Sequence, residues 1–206
     1  MIISGLHKFI FVAIPKTGTH SVRRALREHM GPQDVEQVGL FVQRQFPIPD
    51  LAKIGHGHIT LGQVRPYLKP EAWESYFKFA FVRNPFDRFV SYCSFMMREG
   101  DAFQRDPKAV MRHFLANPPH GHILFHHQHS FVTDADGKLL TDYVGRVEEM
   151  QQSYDDIAAR IGIPTATLEK VNASKRQNYR EYYDAGLIDG VAKLYARDLE
   201  LFGYEF

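Results

Sequence analysis

Residues 8–14, Lys-Phe-Ile-Phe-Val-Ala-Ile, form an almost unbroken apolar run that ends at Pro15 and passes within four residues into a helical pattern. A run that is apolar at successive positions, rather than at every second one, fits a strand buried on both faces, as in the middle of a parallel sheet. From Thr19 onward Val22, Ala25, Leu26 and Met30 recur at helical spacing, and Gly31-Pro32 is a stop signal. Tyr76–Val82 is a second such run, followed by Asn84-Pro85 and a helical stretch from Phe86 to about Arg98. The chain therefore writes the unit strand, loop, helix twice, which points to an α/β layered fold.

Further helices are expected over Asp106–Leu115, Glu148–Ile161 and Leu187–Leu201, strand-like residues over Leu139–Val147, and a surface loop over Asn117–Gln128. Gln33–Leu68 reads as irregular, with a short strand expected around Ile54–Ile59. No repeat or linker interrupts the 206 residues, of which 44% are hydrophobic, enough for one substantial core; a single domain over residues 1–206 is expected. The 25 Lys and Arg against 24 Asp and Glu leave a net charge of +1, so nucleic acid is not an expected partner and any anion site must be local. The early apolar run is too short to span a bilayer, and the one cysteine, Cys93, cannot form an internal disulfide. A cytoplasmic location is the expectation.

The loop Pro15-Lys16-Thr17-Gly18-Thr19-His20-Ser21 joins the first strand to the first helix. It offers a cation, a permissive glycine, three hydroxyls and a helix N-terminus, the parts that hold a phosphate. The lysine stands before the glycine. In the nucleoside triphosphatase loop it stands after, with a hydroxyl next to it for magnesium. A terminal anion that arrives without magnesium fits this loop better, and no metal is expected.

With Arg83-Asn84-Pro85-Phe86-Asp87-Arg88-Phe89-Val90-Ser91 after the second strand, the chain resembles the sulfotransferases that use 3'-phosphoadenosine 5'-phosphosulfate (PAPS), particularly the carbohydrate branch related to heparan sulfate 2-O-sulfotransferase. The resemblance implies a P-loop-like three-layer domain with a mostly parallel central sheet flanked by helices. It implies that Lys16, Thr17, Gly18, Thr19 and Ser21 hold the phosphosulfate and that Arg83 and Ser91 hold the 3'-phosphate. His20 replaces the family's usual hydroxyl residue, leaving its backbone N–H for the same contact. Val144–Glu148, Asn172-Ala173-Ser174 and Tyr182-Tyr183 through Tyr204 look like further family landmarks, and Lys175 and Arg176 sit where the family closes a loop over the nucleotide.

Transfer to an alcohol needs a base for the hydroxyl proton, and histidine titrates in the right range. Gly55-His56-Gly57-His58 is similar to the catalytic segment of the 2-O-sulfotransferases, which makes His58 the expected base and His56 its support; packing of a turn is the plain alternative. His120, His122, His126, His127 and His129 are read first as ordinary surface histidines, then as an acceptor-facing loop, with a metal site the least favoured reading because a loop alone supplies the ligands; Trp73 is read as core or a sugar platform. Two other readings stay open: a kinase-like phosphotransferase, and a non-catalytic module that binds a nucleotide or a glycan. The acceptor expected is a saccharide or another hydroxyl compound.

Overall fold

The computed structural model describes residues 1–37, 48–168 and 178–206, and the chain divides into two compact units. The first holds Met1–Val82 and Gln128–Val171. Its centre is a five-stranded sheet of β1 (Ile2–Ser4), β2 (Phe9–Val12), β3 (Val35–Glu36), β4 (Phe77–Val82) and β5 (Tyr143–Arg146), in the order β3-β1-β2-β4-β5. The pairs β2·β4 and β4·β5 are parallel, while β1 is antiparallel to both β2 and β3. β1 alone thus runs against the other four strands. Register aligns Val12 with Ala80 and Val82 with Arg146, so the C-terminal ends of the three parallel strands lie along one edge.

Burial explains the unbroken apolar runs. Phe9, Phe11, Ala13, Phe79 and Phe81 join Val22 and Leu26 of α1 (Thr19–Arg27) and residues of a later helix in one cluster, with the Phe11 and Phe79 rings stacked at 5.4 Å. The alternate positions Ile10, Val12 and Ile14 are also fully buried. At about 1.5–3 kcal/mol per buried large apolar side chain, these two strands make a large contribution to the stability of the unit.

The second unit holds Arg83–His127 and, in its described part, residues 178–206. α2 (Pro85–Met96) begins where β4 ends: Asn84 accepts from the Phe86 N–H at 3.0 Å, and Pro85 fills the first helical position, where no N–H is needed. α3 (Pro107–Ala116) is capped by Asp106, whose carboxylate accepts from Ala109 N–H at 2.9 Å. Phe86, Phe89, Tyr92, Met111, Phe114, Phe125 and Tyr195 form an aromatic-rich core of this unit. In the first unit the helix expected over Glu148–Ile161 is a 3-10 turn, Val147–Glu149, followed by α4 (Met150–Ile161).

Several expectations are corrected. Ile54–Ile59 is turn and extended loop, because Gly55 at φ 73° breaks any strand there and no ladder partner exists among the described residues. Of Leu139–Val147 only Tyr143–Arg146 is strand, Leu139 making an isolated bridge with Thr133. The last helix is two, α5 (Ala185–Leu194) and α6 (Ala196–Phe202), broken at Tyr195, whose ψ of 25° leaves the helical region. The Asn117–Gln128 stretch is not a plain surface loop: Phe125 is buried within it and Arg88 reaches in to hold two of its carbonyls. No helix of the described residues is long and apolar enough to cross a membrane.

Candidate active site

β2 delivers the chain into the phosphate loop with an unusual backbone. Lys16 has φ 66° and Gly18 has φ 68°, so two residues of the loop stand in the left-handed region within three positions. For a lysine that conformation costs on the order of 1–2 kcal/mol, which the surrounding contacts must offset. Thr17 supplies one: fully buried, it donates its hydroxyl to the Ile14 carbonyl at 2.9 Å. Its side chain braces the loop, and its backbone N–H is what it has to offer an anion. Gly18 is the N-cap of α1 without any side-chain cap, and Ser21 N–H closes the first turn on its carbonyl at 3.1 Å.

Gly18 is fixed by φ more than by space. A Cβ there would run into the end of the Met150 side chain, which a rotamer change can move, so the positive φ is the stronger constraint. Thr19 and Ser21 are buried and His20 is exposed. The His20 pKa lies below its ordinary 6.5 through desolvation first, then through the positive charges of Arg23, Lys16 and Arg27. The start of α1 is a positive place with its helix dipole added, as an anion site requires.

His58 stands beside this loop. Its Nδ1 lies 2.6 Å from the Ala13 carbonyl, just past the last ladder residue of β2. A carbonyl only accepts, so Nδ1 carries the proton and the lone pair is on Nε2. Burial above all pushes the imidazole pKa down to about 3; the bond to Ala13 opposes this, while the Met1 amine, Arg23 and His56 add to it. The ring is neutral at neutral pH with its lone pair on Nε2, but a pKa so far below 6.5 corrects the expectation of a base titrating near neutrality: in this environment His58 is a weaker base than the sequence implies. His56 supports it through a backbone contact: His58 N–H donates to His56 Nδ1 at 3.3 Å, with the rings 6.0 Å apart.

The Gly57 peptide between the two histidines is anchored from α1. Arg23 is 4% exposed and donates through one terminal nitrogen to the Gly57 carbonyl at 2.9 Å and the Gln37 carbonyl at 3.0 Å. Glu36 pairs with Arg23 at 3.5 Å and, through a fork of 2.7 and 3.0 Å, with Arg27. The Met1 amine donates to the same two carbonyls, at 2.6 Å to Gly57 and 3.2 Å to Gln37. Sequence reading missed Arg23, since a charged residue between Val22 and Ala25 looks like the solvated side of a helix.

A small, half-open cavity of about 50 Å³ lies along α1, lined by Ser21, Arg24, Ala25 and Glu28 and by Ala166, Thr167 and Leu168. It had no sequence signal beyond Ser21.

The second motif belongs to the second unit. Arg83 follows directly on Val82 at the end of β4, and its Nε donates to Asp87 Oδ2 at 2.7 Å, one turn into α2. Ser91 lies one turn further and is half-buried. Arg88 is a different residue: nearly fully buried, it donates to the Leu124 and His126 carbonyls at 3.2 and 2.7 Å and so stitches the histidine-rich stretch to α2. In that stretch His122 meets the Tyr92 hydroxyl at 3.4 Å and His127 packs on Tyr195. Trp73 is engaged by cations, with Arg65 at 5.1 Å and Lys78 at 5.5 Å from its ring centre. Lys175 and Arg176 lie outside the described residues, as does the Asn172-Ala173-Ser174 turn.

No curated protein and no solved structure matches the chain. A family model described as the sulfotransferase family matches residues 1–119, a span that takes in the phosphate loop, both histidines, Arg83 and Ser91 and ends before the histidine-rich stretch. A match over more than half of the 206 residues, containing both strand-loop-helix units, places this chain in the sulfotransferase family.

Proposed function

We propose that the protein transfers a sulfuryl group from PAPS to a hydroxyl of a carbohydrate, as the heparan sulfate 2-O branch does, with His58 as the base. The observation that carries this is the tautomer of His58: its Nδ1–H is committed to the carbonyl of Ala13, two residues before the loop opens at Pro15, which leaves the lone pair on Nε2.

PAPS, when bound, supplies the sulfuryl group and 3'-phosphoadenosine 5'-phosphate (PAP) as leaving group. Lys16 and the N–H groups at the start of α1, with Thr17, Gly18, Thr19, His20 and Ser21, hold the phosphosulfate end. Arg83 and Ser91 hold the 3'-phosphate, and Lys175 and Arg176 are assigned to the same nucleotide on the family resemblance alone. His58 takes the acceptor proton at Nε2 as the new oxygen–sulfur bond forms and the bond from sulfur to the bridging phosphate oxygen breaks. The proton then passes to solvent. Lys16 stabilises the charge left on that bridging oxygen, the electrostatic role usually given to a metal in phosphoryl transfer. In this reading residues 1–206 act as one catalytic domain that needs no metal. We place the reaction in the cytoplasm, since the one cysteine, Cys93, offers no internal disulfide.

Calorimetry tests the donor and an assay tests the reaction. PAP should bind at least about tenfold more tightly than ATP with magnesium, given the charge-assisted bonds its 3'-phosphate adds. Labelled PAPS should pass its sulfate to one of a panel of saccharides. Preference for ATP with magnesium would favour a phosphotransferase; binding without transfer to any hydroxyl acceptor would favour a non-catalytic module.

A further inference from the structure

We propose that Arg23 is a positioning residue for His58: by holding the Gly57 carbonyl it ties the base to the helix that begins at the phosphate loop. This rests on the reading of His58 as the base.

The loop has two flanks, the end of β2 at Ala13 and the first turns of α1. His58 is tied to both. Its ring is held by the Ala13 carbonyl at 2.6 Å, and the peptide immediately before it is held by Arg23 at 2.9 Å. With one end of the residue fixed to each flank, the base keeps its place whenever the loop keeps its own. Proximity of this kind is worth much in catalysis, since a displacement of about 1 Å costs on the order of a hundredfold in rate.

A merely structural arginine would be a poor investment here. Burying a guanidinium is costly, and similar volume in apolar residues often stabilises a fold as well or better. Arg23 Nε is also buried with no hydrogen-bond partner among the described residues. What it does hold is chosen: carbonyls 14 and 34 residues away, one of them inside the His-Gly-His segment. Glu36 fixes the guanidinium from the other side. The Met1 amine shares the Gly57 carbonyl, so losing Arg23 should loosen the segment rather than release it.

The test compares Arg23→Gln and Arg23→Lys with the wild type in three readouts: turnover with PAPS, PAP affinity, and the imidazole nitrogen resonances of His58. Arg23→Gln should lower turnover about tenfold to a hundredfold while PAP affinity changes by less than about threefold. Its His58 resonances should lose the single Nδ1–H pattern and show mixed tautomers. Arg23→Lys, which keeps the charge but not the fork, should recover part of the rate and part of the pattern. Should Arg23→Gln not fold, Arg23→Lys decides by the same resonances. His58 resonances identical to wild type in a folded variant would overturn the proposal, and so would a proportional loss of PAP binding and turnover. A separate outcome, full turnover by His58→Ala, would remove His58 as the base, while the resonances would still report whether Arg23 holds it.

Discussion

The loop after β2 and the motif after β4 follow the same plan of strand, turn and helix, yet they are prepared for an anion in opposite ways. The first is prepared by its backbone: two left-handed residues, a buried threonine bracing the turn, Met150 against Gly18, and an uncapped helix start. The second is prepared by a side-chain pair, Arg83 on Asp87, at a helix whose start is already capped by Asn84. Backbone donors in a strained loop cost nothing to reorganise when the ligand arrives. An arginine paired with a carboxylate is held in orientation, but its charge is partly neutralised until a phosphate competes for it. In the proposed reading, that difference suits the loop to the reacting end, where charge develops, and Arg83 to the end that only binds.

Three measurements can break or sharpen that division. The largest effect is expected at Lys16: Lys16→Ala should lower turnover by at least about a hundredfold, the scale of one preorganised donor lost. A near-normal rate would remove the loop from the chemistry. Arg83→Ala should weaken PAP by about tenfold to a hundredfold, yet leave the affinity for ADP, which has no 3'-phosphate, unchanged, with the single-turnover rate at saturation nearly intact. Equal loss for both nucleotides would make Arg83 a general electrostatic contributor instead.

The smallest effect concerns stability against pH. His58 has its pKa lowered from 6.5 to about 3, so across that interval the unfolded chain binds a proton on His58 that the folded chain refuses. Stability is therefore complete above 6.5 and falls as pH drops toward 3. In His58→Gln the urea midpoint should fall less steeply over the same interval. Identical slopes would mean that the ring is not held neutral.

The fold was legible where burial writes a pattern. β2 and β4 are covered on both faces, so their runs are continuous and the helices after them follow a clear spacing. β1 and β3, three and two residues long, are too short to carry any pattern. The Ile54–Ile59 segment misled because its alternation looks like a strand, whereas its order comes from side-chain and backbone bonds to distant elements. Of the candidate site, the loop around Lys16 and Gly18 and the Gly55-His56-Gly57-His58 segment stood out in the sequence because their composition is unusual at a strand end and in a turn. Arg23 and Met150 did not, since each acts through tertiary contacts that no local spacing records.

The most direct test is a single-turnover experiment with labelled PAPS and a saccharide acceptor on wild type and His58→Ala, with PAP calorimetry on both. A base at His58 predicts transfer slowed by about a hundredfold to ten-thousandfold with PAP affinity unchanged. Wild-type transfer by His58→Ala, or loss of PAP binding along with the rate, would contradict it.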